Sequence, residues 1–126
     1  MSNENFRRAL LATAVMNVVG FFALMPPFPF LRQLVGVPEA PPFYGWLLAL
    51  WILFFGLAYL RLAYVRTPER LFLQIGAAGK ASFALLLIVC WLAGDLPILA
   101  PLAGSPDLGF AALFAARVYA TRDRAA

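Results

Sequence analysis

Residues 43–60 read FYGWLLALWILFFGLAYL, a run of eighteen residues without a charged side chain. A helix that crosses a bilayer needs about 20 mainly apolar residues. Tyr44 is the second residue of the stretch, and Trp46 and Trp51 also lie in its first half. Aromatic side chains in these places are typical of a helix end anchored among lipid headgroups. The stretch therefore predicts a membrane-spanning helix over about residues 43–64.

The composition of the whole chain agrees with a membrane location. Of its 126 residues, 63% are hydrophobic and 13% are charged, whereas soluble domains have about 45–50% and about 25%. A soluble domain of 126 residues has too small an interior to bury this much apolar surface. The composition therefore excludes a soluble globular enzyme. The same composition excludes disorder. We expect a single integral membrane domain over residues 1–126.

Several kinds of chemistry are excluded by residues that are absent or rare. The chain has no His, which removes imidazole acid–base catalysis, haem ligation by His and most zinc sites. Cys90 is the one cysteine and lies in an apolar run, so it forms no internal disulfide and no CxxC site. The sequence contains no recognisable set of catalytic residues. We therefore expect a protein that is not an enzyme and that holds no metal and no cofactor.

Three further spans are predicted, at about residues 6–25, 68–93 and 106–121. The first ends at a cluster of prolines from Pro26 onward, because proline breaks a helix. Its basic start resembles a signal peptide, but no convincing small-x-small cleavage site follows, so we predict an uncleaved span. The third begins Thr67-Pro68-Glu69, in which Thr67 would cap, Pro68 would take the first helical position and Glu69 would favour the helix dipole.

The last span and the two outer segments are shaped by proline. Ser105-Pro106-Asp107 repeats the start signal of the third span, which predicts a helix from Pro106 to about Thr121. Three prolines between residues 96 and 106 argue against one straight helix there. We expect residues 95–105 to form an apolar outer loop or half-helix. Residues 26–42 are expected at the membrane interface, with a short amphipathic turn from Phe30 to Val35.

The distribution of Lys and Arg predicts the orientation. Four spans place nine of the ten basic residues on one side and only Arg32 on the other. Positive charge marks the cytoplasmic side, so both termini are expected there, in a bacterial cytoplasmic (inner) membrane. The fold prediction is all-α, an up-down bundle of four transmembrane helices. The nine residues are Arg7, Arg8, Arg61, Arg66, Arg70, Lys80, Arg117, Arg122 and Arg124.

Lys80 is the charged residue whose placement in a bilayer has the highest predicted free-energy cost. It lies about 13 Å into the third span at the helical rise, where a charge costs roughly 3 kcal/mol or more. Three interpretations are open: the side chain reaches back to the cytoplasmic face, it is paired or hydrated inside the bundle, or it is reactive. Asp107 is either its counter-ion or a plain first-turn acid. Asn17, at similar depth, either bridges the pair or makes a helix–helix hydrogen bond.

A second group of candidates lies near the cytoplasmic boundary. Arg61 and Arg117 are accompanied by Tyr59 and Tyr64. One interpretation is interfacial anchoring. The other is a basic, aromatic-lined mouth that contacts an anionic lipid or substrate headgroup.

Two stretches carry a resemblance. Residues 70–80 read RLFLQIGAAGK and residues 107–114 read DLGFAALF. With the four spans, they resemble small bacterial four-helix membrane proteins of uncharacterised function, whose broad relatives in architecture are DoxX-like proteins. The resemblance covers most of the chain. DoxX-like proteins are linked to quinone and redox membrane complexes, so the resemblance implies an accessory role, and it carries over no catalytic residue.

Two functions are favoured over a membrane enzyme that uses Lys80 or Asp107 and over a proton or ion path. The first is a small non-catalytic membrane protein that is an accessory subunit or partner of a larger complex, or forms a homo-oligomer, through faces rich in small residues. The second is an intramembrane module that binds or transports a lipophilic molecule, such as a quinone, isoprenoid or lipid, oriented by Lys80, Asn17 and Asp107. In both, the surroundings are the lipid bilayer, and no nucleic acid partner is expected, because the cations flank apolar runs.

Overall fold

The computed structural model describes residues 3–65 and 69–122. These ranges form five helices and no strand. The all-α prediction is therefore confirmed for the described part of the chain. The helices are α1 (Asn3–Leu24), α2 (Phe30–Val35), α3 (Pro42–Leu62), α4 (Arg70–Leu92) and α5 (Leu99–Thr121).

Four of the helices are long and apolar. They contain 21 to 23 residues each, which at the helical rise is about 32–35 Å. That length matches the roughly 30 Å hydrocarbon core of a bilayer, and the composition of all four suits a membrane crossing. The prediction of four long apolar helices is confirmed, and it indicates an integral membrane protein.

The chain divides between Arg66 and Thr67 into two compact units. In the N-terminal unit α3 packs along α1, and α2 also contacts α1; in the C-terminal unit α5 packs along α4. The packing of all four long helices into one bundle and one domain stays a prediction.

The α1–α3 pair is held by a close backbone approach. A methyl group on Gly56 would lie 2.8 Å from Cβ of Asn17 and 3.4 Å from the carbonyl oxygen of Ala14. Nearby, Nδ2 of Asn17 donates a hydrogen bond to the carbonyl oxygen of Ile52, at 3.0 Å. Small residues at the crossing and an interhelical amide hydrogen bond are what stabilise helix pairs in a membrane, where lipid removes the hydrophobic drive to associate.

The short helix α2 coincides with the turn predicted from Phe30 to Val35. Gly36 ends it with φ of 86°, a left-handed conformation that glycine adopts without steric cost. The backbone N–H groups of Gly36 and Val37 both donate to the carbonyl oxygen of Arg32. The placement of this helix at the membrane interface stays a prediction.

The ends of α4 agree with the sequence in part. The helix begins at Arg70 rather than at residue 68, because Glu69 has an extended backbone and is the N-cap, without a side-chain capping bond. The predicted roles of Thr67 and Pro68 lie outside the described residues. At the other end Gly94 has φ of 87° and the N–H of Asp95 donates to the carbonyl of Cys90. This is the glycine-terminated end that the sequence predicts.

The predicted start of the last span is wrong. Helix α5 begins at Leu99, seven residues before Pro106, and continues through it to Thr121. The segment predicted as an outer loop over residues 95–105 therefore contributes almost two turns of helix. Pro101 is tolerated because it lies in the first turn, where backbone N–H groups have no helical partner.

Ser105 accounts for the passage of α5 through Pro106. Proline at position 106 has no N–H to donate to the carbonyl of Leu102, four residues earlier. The Ser105 hydroxyl donates to that same carbonyl oxygen, at 2.8 Å. A polar group freed by proline inside a membrane helix must be satisfied within the protein. Ser105, which was predicted to precede the first turn of a helix, therefore stabilises the middle of one.

The bond between Ser105 and Leu102 can be tested by a double-mutant cycle. We expect Ser105→Ala to lower the free energy of unfolding by about 1 kcal/mol, the usual worth of such a hydrogen bond. In a Pro106→Ala background the same change should cost close to nothing, because alanine at that position supplies the missing N–H. Detergent-driven unfolding followed by circular dichroism measures both. An equal cost in the two backgrounds would show that Ser105 does not compensate for the proline.

Candidate polar site in the C-terminal unit

Lys80 and Asp107 form a buried ion pair. Nζ of Lys80 lies 2.9 Å from Oδ1 of Asp107, and the two side chains are only 7% and 14% exposed. The distance is that of a charge-assisted hydrogen bond. Of the three interpretations of Lys80, the structure shows the paired one.

The helix pair places both side chains by simple periodicity. On α4 the buried residues recur at three- and four-residue intervals, and Lys80 is one of them, near the middle of the helix. On α5 Gly104 packs against the side chain of Leu87, two turns beyond Lys80 on α4. The contacts 80–107 and 87–104 run in opposite directions, so α4 and α5 are antiparallel. The buried residues of α4 are Leu73, Gly76, Lys80, Ala84 and Leu87.

Asp107 is not a first-turn acid. Because α5 starts at Leu99, Asp107 lies about two turns inside the helix. The alternative that assigned it to the positive end of the helix dipole is therefore wrong. Its carboxylate instead faces α4, where Lys80 supplies the opposite charge.

A phenyl ring also lies close to the cation. Nζ of Lys80 lies 5.6 Å from the ring centroid of Phe110, one turn along α5 from Asp107. The face of an aromatic ring attracts a cation electrostatically, and more strongly where water is absent. The sequence interpretation did not single out Phe110. Its spacing of three residues from Asp107, on the same side of a helix, is the signal that could have identified it.

The arrangement is suited to holding two helices together. A lone lysine or aspartate buried between apolar helices is costly, whereas each partner here compensates the other's charge. The pair joins α4 to α5 at one defined register. It also gives an apolar region one polar point at which a ligand headgroup could bind.

Asn17, the third member of the predicted network, belongs to the N-terminal unit. Its amide donates to the carbonyl of Ile52 on α3, so the structure shows the helix–helix hydrogen bond that was one of its two interpretations. A bridge from Asn17 to the Lys80–Asp107 pair stays a prediction.

The four predicted headgroup contacts differ in their exposure. Tyr59 is 2% exposed and packs near the ring of Phe55, so it is not available to a headgroup. Tyr64 is 67% exposed, and the Arg7 guanidinium carbon lies 4.8 Å from its ring centroid. Arg61 is exposed and Arg117 is half-buried. For these two and Tyr64 the headgroup role stays a prediction.

One polar feature was not anticipated. Thr13 is fully buried on α1, and its hydroxyl has no hydrogen-bond partner among the residues described. It lies on the buried stripe with Phe6, Leu10 and Ala14, and that helical spacing was visible in the sequence. No group of three or more acidic, Cys or His side chains that could hold a metal ion occurs within residues 3–65 and 69–122.

Comparison with known proteins found no match. A scan against protein-family models matched none, and searches of curated proteins and of solved structures gave no significant similarity. The resemblance to small four-helix and DoxX-like membrane proteins stays a prediction.

Proposed function

We propose that this chain is a small non-catalytic membrane protein that acts as an accessory subunit, bound to a transmembrane helix of a partner protein or of a second copy. The proposal includes a bacterial cytoplasmic membrane and cytoplasmic termini, supported by the nine-to-one division of Lys and Arg. It assigns no catalytic residue.

One face of α5 carries the proposal. Its buried residues pack toward α4, while small side chains follow one another at helical spacing on the opposite, exposed side. A methyl group added at Gly109 would meet no atom within 4 Å. This outward small face consists of Ser105, Gly109, Ala112 and Ala116.

Small residues on an outward helix face suit a protein neighbour better than lipid. They allow two helix backbones to approach closely, and tight packing is the main source of helix association in a bilayer. Elsewhere the exposed surface of the long helices is dominated by large apolar residues, such as Trp51, Leu86 and Leu92. The outward small face therefore allows a close backbone approach that these large side chains prevent.

Photo-crosslinking in native membranes tests this contact. With Cys90 replaced by alanine, a benzophenone maleimide attached to Ala112→Cys should form an adduct of discrete mass, either with a partner protein or with a second copy. Adding Gly109→Leu should reduce the adduct about tenfold, since a bulky side chain one turn away separates the helices.

Val89 provides the control position. It is exposed on α4, so a label at Val89→Cys should give no discrete adduct, and Val89→Phe should leave the Ala112→Cys adduct unchanged. Equal adducts from positions 89 and 112, or an adduct unaffected by Gly109→Leu, would contradict the proposal.

A second candidate function is favoured by the Lys80–Asp107 pair itself. A charged pair beside the Phe110 ring, buried in an apolar helix pair, is the kind of polar point that orients a lipophilic ligand. Under this proposal Lys80→Met removes a co-purifying molecule of a few hundred daltons while the helix content is kept. Loss of the fold in the same variant would instead assign the pair a structural role.

A further inference from the structure

A small cleft opens in the N-terminal unit, where α1 ends and α3 begins. It has a volume of about 70 Å³ and is lined by both helix ends together with α2 and the loop that follows it. A cavity needs about 10–15 Å³ on this measure to hold one water molecule, so the cleft accommodates a ligand's headgroup rather than a whole lipid. All the residues that line it belong to the N-terminal unit, whereas Lys80 and Asp107 belong to the C-terminal unit.

The two charges in the cleft are of opposite sign. Arg32 and Glu39 both line it, and they are the only charged residues between Arg8 and Arg61. Arg32 is half-buried and Glu39 is exposed. Among the described residues neither side chain forms a hydrogen bond or ion pair. A cation and an anion thus border one cavity without being paired to each other.

The walls around these charges are apolar and restrained. Pro26, Pro38 and Pro42 line the cleft, and each proline fixes its own φ. Gly45 lies against Pro26, so that an added methyl group would be 3.1 Å from the ring. The carbonyl of Arg32 receives two backbone hydrogen bonds from the turn after α2. The backbone that lines the cleft is therefore held in a defined conformation.

We propose that this cleft binds the headgroup of a zwitterionic phospholipid with a primary ammonium, as in phosphatidylethanolamine. Arg32 binds the phosphate, because a guanidinium presents several donors to phosphate oxygens. Glu39 accepts hydrogen bonds from the ammonium. The apolar walls contact the glycerol end of the lipid. A choline headgroup lacks N–H donors for Glu39, and an anionic glycerol headgroup supplies no cation to it.

Native mass spectrometry of the full-length protein in mild detergent tests the proposal. The protein is titrated separately with phosphatidylethanolamine, phosphatidylcholine and phosphatidylglycerol. We expect phosphatidylethanolamine to be retained about tenfold more strongly than the other two, as one charge-assisted hydrogen bond allows. Glu39→Gln should lower its retention to the phosphatidylcholine level, and Arg32→Gln should lower the retention of all three lipids.

Matched charge removals elsewhere are the controls. Arg8→Gln and Asp95→Asn change the same net charges but lie outside the cleft, so lipid retention should stay as in the wild type. Equal retention of the three lipids by the wild type, or an unchanged preference in Glu39→Gln, would overturn the proposal. Excess free phosphoethanolamine should leave the bound lipid in place. Its displacement would assign the site to a soluble zwitterion and contradict the lipid assignment.

Discussion

Replacing Lys80 with methionine is expected to lower the free energy of unfolding of the C-terminal helix pair by about 3–5 kcal/mol, the usual cost of breaking a buried ion pair. The reason is that Asp107, 14% exposed and 2.9 Å from Lys80 Nζ, would remain as an uncompensated charge. Asp107→Asn should have a similar effect, since it leaves the lysine ammonium buried. Detergent-driven unfolding followed through Trp91 fluorescence, with Trp46 and Trp51 replaced by phenylalanine, measures both variants.

Exchange of the two charges separates pairing from local packing. The double variant Lys80→Asp with Asp107→Lys should recover much of the stability lost by Lys80→Asp or Asp107→Lys alone, since opposite charges again meet across α4 and α5. Gln74→Met, an exposed polar-to-apolar change on α4, should have little effect. Two harmless single variants, or no recovery in the double variant, would contradict a stabilising pair.

The second large effect is expected at Gly56. Substitution by leucine should destabilise the α1–α3 pair by about 3 kcal/mol, near the upper end of overpacking costs. Even the first added carbon would lie 2.8 Å from Cβ of Asn17, an atom fixed to its own helix backbone. The helices must separate, which also weakens the bond from Asn17 to the Ile52 carbonyl. Detergent-driven unfolding followed through the fluorescence of Trp46 and Trp51, with Trp91 replaced by phenylalanine, measures this effect.

Gly79 is the control for Gly56. It is also a helical glycine, but an added carbon there meets nothing within 4 Å. Gly79→Leu should therefore be neutral or slightly stabilising, because leucine favours a helix more than glycine does. A Gly56→Leu variant as stable as Gly79→Leu would show that the close approach of α1 and α3 is not required.

The long helices were predictable because a long apolar run without charge is typical of a membrane-spanning helix. The run from Phe43 to Leu60 lies within α3, and the predicted turn from Phe30 to Val35 is helix α2. The Lys80–Asp107 contact was one of the interpretations left open by the sequence, since a buried lysine favours a nearby counter-ion. The orientation across the membrane rests on Lys and Arg alone and stays a prediction.

The start of α5 was not predictable from residue preferences. Ser105-Pro106-Asp107 is a good helix start in isolation, and the same three residues lie inside a continuous helix. Specific contacts in the folded chain decide whether these residues start a helix or continue one. Ser105 donates a hydrogen bond to the Leu102 carbonyl, and Lys80 pairs with Asp107 across α4 and α5. Local propensity does not contain either contact.

The burial of individual side chains accounts for the remaining differences between the sequence predictions and the structure. Tyr59 and Tyr64 look alike near the end of the second span, yet one is buried and the other is exposed beside Arg7. Helix α3 ends at Leu62, so Tyr59 lies on the helix and Tyr64 lies in the turn that follows it. Which face meets protein depends on the packing of α3 against α1.

The accessory-subunit proposal is tested most directly by native mass spectrometry of the protein extracted under mild, lipid-preserving conditions. It predicts a second protein, or a second copy of this chain, at fixed stoichiometry, which is lost from Gly109→Leu and kept in Val89→Phe. A bare monomer, or a monomer that carries only a bound molecule of a few hundred daltons, would contradict it. The latter result would favour the ligand-binding alternative at Lys80 and Asp107.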